Sequence, residues 1–373
     1  MELCPLAQVR DRIRVGSPLP FCIRDAAARP LLAKHQVVND ERELQALVEG
    51  GAWVDIDELS DGGTGIAEVP PERLPALWRR LAQRLSDALS DMPAPGAPAA
   101  LATLADDLEA FVEGAPDLAI FLLVRPEPGD ATRYGVVRSL QAAAAACLIA
   151  QRLDWPRERR RTLVKAAFTM NLGMLDLQER LSNQARLPSP QQRHAIHVHP
   201  STSVATLQAS GVTDPAWLRA VAEHHEKPGG SGFPAGLVVV DEMASALRTV
   251  DLYTAKLAGR SGRDALPPPR AARDLLVEER GNPFALALIT EFGVHPPGSL
   301  VRLHGGEVAV VVRRTADSDA PLVAVLLGRR GEPLDQPLLV EASGRDRGIA
   351  GSAQENAMRG ARVSAERLYG LVT

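Results

Sequence analysis

The sequence predicts a mainly α-helical protein that carries a small α+β module before the helices and a small β module after them. Three observations lead to this prediction. Leucines recur at helical spacing in residues 70–89, so that they line one face of an amphipathic helix. Residues 141–153 are rich in alanine and other apolar side chains, which is typical of a buried central helix. After Phe292 the pattern changes to short apolar runs around Gly305-Gly306, which indicates a β-hairpin.

Length and composition narrow the class of protein. A chain of 373 residues is too long for one compact core and suggests two or three domains. The formal net charge of −4 gives no electrostatic reason to expect binding to a nucleic-acid polymer or a membrane surface. No apolar run approaches the roughly 20 residues that span a bilayer, and residues 1–14 are too charged for a signal-peptide core. The cysteines form no CxxC pair. We therefore expect a cytoplasmic protein without a membrane span.

The N-terminal α+β module is expected to cover residues 1–69. Asn39 or Asp40 caps a helix that ends at Gly50-Gly51, and Glu43 lies three positions after Asp40, as in a capping box. Short runs of strand-forming residues between turn signals predict strands on both sides of this helix. The expected strands are 20–24, 30–34 and 52–56.

The rest of the chain divides where its composition changes. Prolines and a glycine within 91–98 mark a hinge, and apolar helical patterns resume after it. The segment after residue 352 predicts one more helix or, alternatively, a frayed terminus. We therefore expect a helical linker region at 70–130, a helical domain at 131–293, a small β module at 294–345 and a helical tail at 346–373.

The most informative stretch is the sequence HHEKPGGSGFP at residues 224–234. Its two adjacent imidazoles, His224 and His225, are poor core packers and good metal ligands. The glycines that follow allow the backbone to come close to a ligand. His199 lies 25 residues before His224, and Asp251 follows the pair. Because the intervening segments are predicted to be helical, an antiparallel bundle could bring these four side chains together at a metal site.

The region from Tyr134 to Phe292 resembles the HD-GYP family. Members of that family fold as an all-helical HD-domain bundle and hydrolyse cyclic-di-GMP at a centre of two or three metal ions. The combination of HHE with GSGFP is the most specific part of the resemblance, and a β tail like that of residues 296–303 occurs in some members. The other matching segments are Lys165–Phe168, His199-Pro200 and Arg248–Asp251.

The chain departs from the family pattern at the positions that carry the hydrolysis. The family's HD dipeptide falls on Met170-Asn171, and the lysine that usually follows it falls on Met174. The family's earlier histidine aligns loosely with Tyr134, and Gly229 stands where the loop usually has an aspartate. In the family, the dipeptide aspartate bridges two cations. A neutral asparagine amide is a poor bridge between dications, and a methionine thioether is too soft a ligand for iron, manganese or zinc.

These departures are expected to remove one metal position and spare the other. The resemblance places His199, His224 and His225 together at the second position, where three neutral imidazoles form a workable site for one divalent ion, iron, manganese or zinc. Asp251 is the only ligand left at the first position. The alternative is that the histidines bind no metal and persist as a hydrogen-bonded relic. Met170 and Met174 are expected to share a helix face and to fill core space.

The GYP loop has two interpretations from sequence alone. It could bind a nucleotide or a protein partner, or it could be only a tight connection between helices. Glu226 is expected either to orient a histidine from behind or to be a surface carboxylate. The loop residues are Gly230, Ser231, Gly232, Phe233 and Pro234.

The function predicted from these features is a degenerate HD-GYP signalling protein that hydrolyses cyclic-di-GMP poorly or not at all. It would bind cyclic-di-GMP, or a protein partner such as a diguanylate cyclase or another signalling protein. A second hypothesis is a phosphodiesterase with a mononuclear three-histidine site. A third is a structural scaffold that binds neither metal nor nucleotide. Whether the chain forms a homodimer is left open.

Overall fold

The structure is a computed structural model that forms two compact units, Met1–Pro70 and Pro71–Thr373. Within them it describes residues 3–10, 13, 15–17, 19, 21–26, 28–33, 36–55, 66, 69–126, 133–262, 264–317, 319–358 and 363–372.

In its described residues, the N-terminal unit contains an antiparallel sheet and one α-helix, which agrees with the expected α+β module. Its strands are β1 (Leu3–Pro5), β2 (Ile23–Arg24), β3 (Pro30–Leu32) and β4 (Trp53–Asp55), in the order β1-β4-β2-β3. Helix α1 (Glu41–Glu49) begins at Asp40, whose side chain accepts a hydrogen bond from the Glu43 N–H at 2.8 Å. Strand β1 was not predicted, and the predicted strand ends Pro20, Lys34 and Ile56 lie outside the described residues.

The second unit is a helical bundle followed by a sheet. The central helix, α5, is buried along most of its length and packs against α6, α10 and α12. Alanines fill its middle, so neighbouring helices can approach closely. The predicted domain boundary at 130–131 lies outside the described residues. The helices are α2 (Leu74–Ser90), α3 (Ala97–Gly114), α4 (Pro116–Val124), α5 (Tyr134–Arg152), α6 (Arg157–Thr169), α7 (Leu175–Ser182), α8 (Pro190–Ala209), α9 (Pro215–Glu223), α10 (Glu242–Leu257), α11 (Pro268–Glu278) and α12 (Pro283–Phe292).

An antiparallel five-stranded sheet follows the bundle, in the order β8-β7-β6-β5-β9. The predicted hairpin is present, because β5 and β6 flank Gly305-Gly306 and pair antiparallel. The expected helical tail differs from the structure, since residues 349–352 form a strand that covers the free edge of β5. After it come a 3₁₀ turn at Glu355–Met358 and the short helix α14. The remaining elements are β5 (Leu300–Leu303), β6 (Val308–Arg313), β7 (Leu322–Leu327), β8 (Pro333–Glu341), α13 (Gly344–Arg347), β9 (Ile349–Ser352) and α14 (Ala365–Tyr369).

Polar contacts fasten this sheet to the bundle. Arg314, just after β6, pairs with Asp117 at 2.5 Å and with Glu291 at 2.7 Å. The Tyr369 hydroxyl of α14 donates to the Val312 carbonyl oxygen at 2.8 Å, and its ring meets Phe121 edge-on. The sheet and the bundle therefore share one unit. Among the helices that the structure describes, none is long and apolar enough to cross a membrane.

Candidate metal centre

Helix α8 supplies the first histidine of the site. It begins with a complete capping box, in which Ser189 and Gln192 exchange side-chain and backbone hydrogen bonds. Residues four apart along α8 face the interior, so His199 and Ser203 are both fully buried. His194 lies on the exposed side of the same helix. Helical spacing alone therefore separates the buried histidine from its exposed neighbour.

The end of α9 supplies the other two histidines. Asp214 caps the start of α9, which ends at Glu223, immediately before His224 and His225. His224 is fully buried, and His225 is half-buried. One ring nitrogen from each of these two residues and one from His199 lie within 4.8 Å of one another. The structure thus brings together the three histidines that the sequence analysis grouped.

The tautomers of the two buried histidines follow from their hydrogen-bond partners. His199 Nδ1 lies 2.6 Å from the Ile196 carbonyl oxygen, and His224 Nδ1 lies 2.8 Å from the Val221 carbonyl oxygen. A carbonyl oxygen can only accept, so both Nδ1 atoms must carry the proton. In a neutral imidazole the other nitrogen then has a lone pair. Two such Nε2 atoms, of His199 and His224, face each other at 3.1 Å.

At neutral pH, neither of the two facing Nε2 atoms carries a proton that it could donate to the other. Burial and, to a smaller extent, the neighbouring His224 lower the pKa of His199 to about 3. Burial also lowers the pKa of His224, against the attraction of the Asp251 carboxylate. Two buried lone pairs at contact distance, with no proton between them, are what a bound cation would stabilise.

The spacing of the nitrogens fits a transition metal. With metal–nitrogen bonds of about 2.0–2.1 Å, two imidazole nitrogens on one ion stand about 3.3 Å apart at a tetrahedral angle and about 2.9 Å apart at a right angle. The observed 3.1 Å between the Nε2 atoms of His199 and His224 lies between these values. The His199 and His224 nitrogens therefore fit a single divalent ion, and a ring nitrogen of His225 lies within 4.8 Å of them as a third possible ligand.

The fourth predicted ligand, Asp251, is engaged elsewhere. Its Oδ1 accepts a hydrogen bond from Arg138 Nη2 at 3.0 Å, and the same nitrogen reaches the Asp251 backbone oxygen at 3.2 Å. Among the described residues, the group that could hold a metal contains only the three histidines. As a metal ligand, Asp251 stays a prediction.

Arg138 was not predicted from the sequence as a residue of the site. A signal was available, because Arg138 is the only charged residue between Tyr134 and Arg152, within the apolar run of α5. A lone charge in a buried helix requires a partner. Tyr134, one turn earlier, is instead fixed by its backbone N–H, which donates to Glu179 at 2.7 Å.

Comparison with known proteins agrees with this architecture. Residues 126–283 match the family model described as HD domain. The chain is also 24% identical over 243 residues to the cyclic di-GMP phosphodiesterase PA4108 of Pseudomonas aeruginosa. The matched residues 126–283 form an HD domain, and together with the HHE and GSGFP motifs these matches support membership of the HD-GYP family.

The match to the Pseudomonas aeruginosa phosphodiesterase extends over only part of each protein. The similarity to the Pseudomonas aeruginosa phosphodiesterase covers 63% of this chain and 58% of that protein, so the chain spans little more than half of that relative's length. Among solved structures, Bd1817, a HDG"Y"P protein from Bdellovibrio bacteriovorus, is similar with a TM-score of 0.49 at 14% identity. That similarity covers 77% of this chain and 97% of the other.

The position of the family's HD dipeptide lies where α6 of this HD domain ends. Met170 is fully buried just after the last residue of α6. Asn171 is 1% exposed, and its Oδ1 has no hydrogen-bond partner among the described residues. Ser203 Oγ on α8 fixes this turn, because it donates to the Met170 carbonyl oxygen at 3.0 Å and accepts from the Gly173 N–H at 2.9 Å. Asn171 thus presents an unmatched acceptor in the interior.

Met170 and Met174 do not share a helix face, contrary to the expectation from their spacing. Helix α6 ends at Thr169, and Met174 closes a separate 3₁₀ turn, Leu172–Met174. Met174 is half-buried and lines a groove of about 980 Å³ along α8, whose described lining includes none of the three histidines. The chain therefore turns between the two methionines, and only Met170 fills the core.

Glu226 anchors the GYP loop. It is 1% exposed, so it is not a surface carboxylate. Its Oε1 accepts hydrogen bonds from the N–H groups of Ala235 at 2.6 Å and Gly236 at 3.2 Å, and its Oε2 accepts from Leu237 at 3.0 Å. Both oxygens are thus taken up by the loop backbone. A carboxylate that accepts several backbone N–H groups is a strong local anchor.

The loop folds back over the histidines. A side chain at Gly232 would stand 2.3 Å from the Lys227 nitrogen and 2.4 Å from the Glu226 Cα atom, so only glycine fits. Phe233 stacks on the His225 ring at 4.5 Å, and its N–H donates to the His225 carbonyl oxygen at 3.2 Å. These contacts explain Gly232 by packing, as the interpretation of a tight connection requires.

Proposed function

We propose that this chain is a cyclic-di-GMP-binding signalling protein that holds one divalent metal ion at His199, His224 and His225 and does not hydrolyse its ligand efficiently. The observation that carries this proposal is the 3.1 Å contact between the Nε2 atoms of His199 and His224, whose other ring nitrogens both donate to backbone oxygens. Iron, manganese and zinc are the candidate ions, because imidazole nitrogen suits this class of metal.

The charges around the histidines support an anionic ligand. Three neutral imidazoles leave the full charge of a divalent ion uncompensated. Next to them, Arg138 pairs with Asp251, and Arg248 pairs with Glu279 at 2.7 Å, so these four charges cancel. When bound, the ion would supply positive charge to a phosphodiester oxygen. The relative in Pseudomonas aeruginosa is named for cyclic di-GMP, a phosphodiester, which makes this compound the first ligand to test.

The same residues argue against efficient two-metal hydrolysis. A second ion would need an anionic bridge, and the position that supplies it in the family holds the neutral Asn171. Met170 offers only a soft thioether. Asp251, the remaining carboxylate, is held by Arg138. Asn171, Met170 and the pairing of Asp251 with Arg138 thus each remove a charge or a ligand that the family pattern would give to a second metal ion.

A phosphodiesterase with one metal ion is the second candidate function. Three histidines with an open coordination position are the arrangement of several catalytic zinc sites, which supports this reading. Binding to a diguanylate cyclase or another signalling protein is compatible with either function. The observation in its favour is that Val238 and Val239 of the anchored loop are 69% and 84% exposed.

Metal analysis tests the site first. The full chain, purified without a histidine tag, is expected to contain about one equivalent of metal, and His224→Ala is expected to contain none. The matched control is His194→Ala, which removes an exposed imidazole from α8 and should leave the metal content unchanged. A chain whose metal content stays the same after all three site histidines are replaced by alanine contradicts the proposal.

Calorimetry with cyclic-di-GMP and a turnover assay with added iron, manganese or zinc then separate the functions. Binding without turnover is expected. Turnover that His224→Ala abolishes would instead support the phosphodiesterase. Neither binding nor turnover, in protein that holds its metal, would leave a scaffold or a protein-binding role and would overturn the assignment of a nucleotide ligand.

A further inference from the structure

Arg138 is a buried cation with one unmatched hydrogen-bond donor among the described residues. Only 5% of the residue is exposed, and it projects from α5 toward Asp251 on α10. One of its terminal nitrogens, Nη2, makes both contacts to Asp251. The other, Nη1, is buried and has no hydrogen-bond partner among the described residues. An unmatched donor on a buried guanidinium costs free energy unless a ligand or water accepts from it.

The neighbouring ion pair, Arg248 with Glu279, is a comparison in which the buried guanidinium donors have partners. Arg248, one turn before Asp251 on α10, pairs with Glu279 at 2.7 Å, and none of its side-chain nitrogens is left buried without a partner. Arg248 is as deeply buried as Arg138, at 5% exposure. Of the two arginines that are paired beside the site, Arg138 and Arg248, only Arg138 therefore has an unmatched donor among the described residues.

The position of Arg138 connects it to the metal centre. Its partner Asp251 lies close enough to His224 for the carboxylate charge to act on that imidazole. The Asp251 side chain is 17% exposed, so the pair lies at the border of the interior and not in a sealed core. Asn171 Oδ1, also buried and unmatched, belongs to the turn that Ser203 joins to the helix of His199. Buried polar groups without partners among the described residues thus occur on two segments that are linked to the site histidines.

We infer that Arg138 replaces a second metal ion: its guanidinium neutralises Asp251 through Nη2 and binds a phosphate oxygen of the ligand through Nη1. A guanidinium carries a fixed positive charge and hydrogen-bond donors that match phosphate oxygens. The site would then present one divalent ion and one arginine to an anionic phosphodiester. This inference deepens the proposed function and rests on it for the identity of the ligand, but the anion-binding role of Arg138 can be tested separately.

The test measures binding of two probes, cyclic-di-GMP and inorganic phosphate, to the metal-loaded full chain. Removing Arg138 alone would leave Asp251 buried without its partner, so the pair is neutralised together as Arg138→Gln with Asp251→Asn. The matched control neutralises the neighbouring pair as Arg248→Gln with Glu279→Gln. A third variant, Arg138→Lys, keeps the charge and the pairing with Asp251 but lacks the second terminal nitrogen.

We expect the Arg138 and Asp251 double variant and Arg138→Lys to keep the metal and to lose about 10- to 100-fold in affinity for cyclic-di-GMP, the range for a hydrogen bond between charged groups. The Arg248 and Glu279 variant should bind both probes like the parent chain. An equal loss in the control, or no loss in Arg138→Lys, overturns the inference. Loss of the metal from the Arg138 and Asp251 variant also overturns it, because the pair would then be holding the ion.

The two probes distinguish failure of this inference from failure of the proposed function. If the chain binds inorganic phosphate in a way that depends on Arg138 but does not bind cyclic-di-GMP, the nucleotide assignment is wrong and the role of Arg138 stands. If it binds cyclic-di-GMP with the same affinity in all variants, the function stands and the role of Arg138 is wrong. If the metal-loaded chain binds neither probe, both are wrong.

Discussion

The buried imidazoles make the stability of the metal-free protein depend on pH. Burial lowers the pKa of His199 to about 3 and also lowers that of His224, whereas a histidine in the unfolded chain has a pKa of about 6.5. At pH values between the folded and the unfolded pKa, these histidines bind protons in the unfolded chain but not in the folded chain. The free energy of unfolding therefore falls as the pH is lowered through about 6.5 and continues to fall toward the folded pKa values.

We predict that metal-free protein is less stable at pH 5.5 than at pH 7.5. His199 should contribute about 1.4 kcal/mol to the loss, and His224 should add to it in the same direction. Urea unfolding of the chelator-treated protein at the two pH values measures the difference. The variant His224→Gln should show a smaller difference between the two pH values than the parent, and His194→Ala should behave like the parent. A difference that His224→Gln leaves unchanged would show that other groups cause it.

Gly232 gives a second prediction at the scale of one residue. Because a Cβ atom there would lie 2.4 Å from the Glu226 Cα atom, Gly232→Ala must displace the loop. We expect it to destabilise the protein by about 1–3 kcal/mol, the range for overpacking, and to weaken metal binding through the loss of the Phe233 stack on His225. Ser231→Ala, at the exposed neighbouring position, is the control. Chemical denaturation and a metal titration measure both effects, and equal behaviour of the two variants would contradict the prediction.

At the scale of elements, three helices that pack on one another, α5, α6 and α10, supply the residues on which the proposed loss of a second metal depends. The end of α6 contributes Met170 and Asn171, α10 contributes Asp251, and α5 contributes Arg138. Restoring only the dipeptide therefore leaves Asp251 still engaged by the arginine.

We predict that Met170→His with Asn171→Asp still binds about one metal ion per chain, and that adding Arg138→Gln raises the number to about two. The physical reason is that glutamine can hydrogen-bond to Asp251 without repelling a dication. Metal analysis of both variants after dialysis measures the stoichiometry. A dipeptide variant that already binds two ions would show that Arg138 does not compete with a metal.

The sequence predicted the elements that carry the site better than it predicted their contacts. The mainly α fold with an HD domain is confirmed, and the periodicity that buries His199 while exposing His194 follows from helix geometry. The pairing of Arg138 with Asp251 joins residues 113 positions apart, and no local pattern encodes such a contact. The same holds for the Glu226 anchor, because its partners are backbone N–H groups, which every residue but proline has.

At the scale of the whole molecule, each of the two units has its own core. In the N-terminal unit, buried apolar residues from the sheet and the helix pack together, among them Leu6, Phe21, Ile23, Leu44 and Val54. The second unit contains the bundle, the site and the C-terminal sheet. We therefore propose that residues 1–70 form a separate domain.

We predict that a chain of residues 71–373 retains the metal content and the nucleotide affinity of the full chain. A contrasting truncation ends at residue 364 and removes α14. It should be destabilised, because it loses the Tyr369 hydrogen bonds to the backbone oxygens of Val312 and Asp117. Metal analysis and thermal unfolding of the two truncations provide the test. Loss of metal from the 71–373 chain would show that the first unit supports the site.

The anchored loop has a consequence for signalling. Phe233 is joined to His225 by ring stacking and by a backbone hydrogen bond, while the exposed Val238 and Val239 lie a few residues further along the same loop. A molecule that binds Val238 and Val239 and moves the loop therefore also moves the His225 imidazole of the proposed metal site. By thermodynamic reciprocity, filling the site must then change the affinity of the loop for that molecule by the same factor. In this way the proposed signalling protein would change the affinity of its surface loop for a partner when its site is filled, without hydrolysing the ligand.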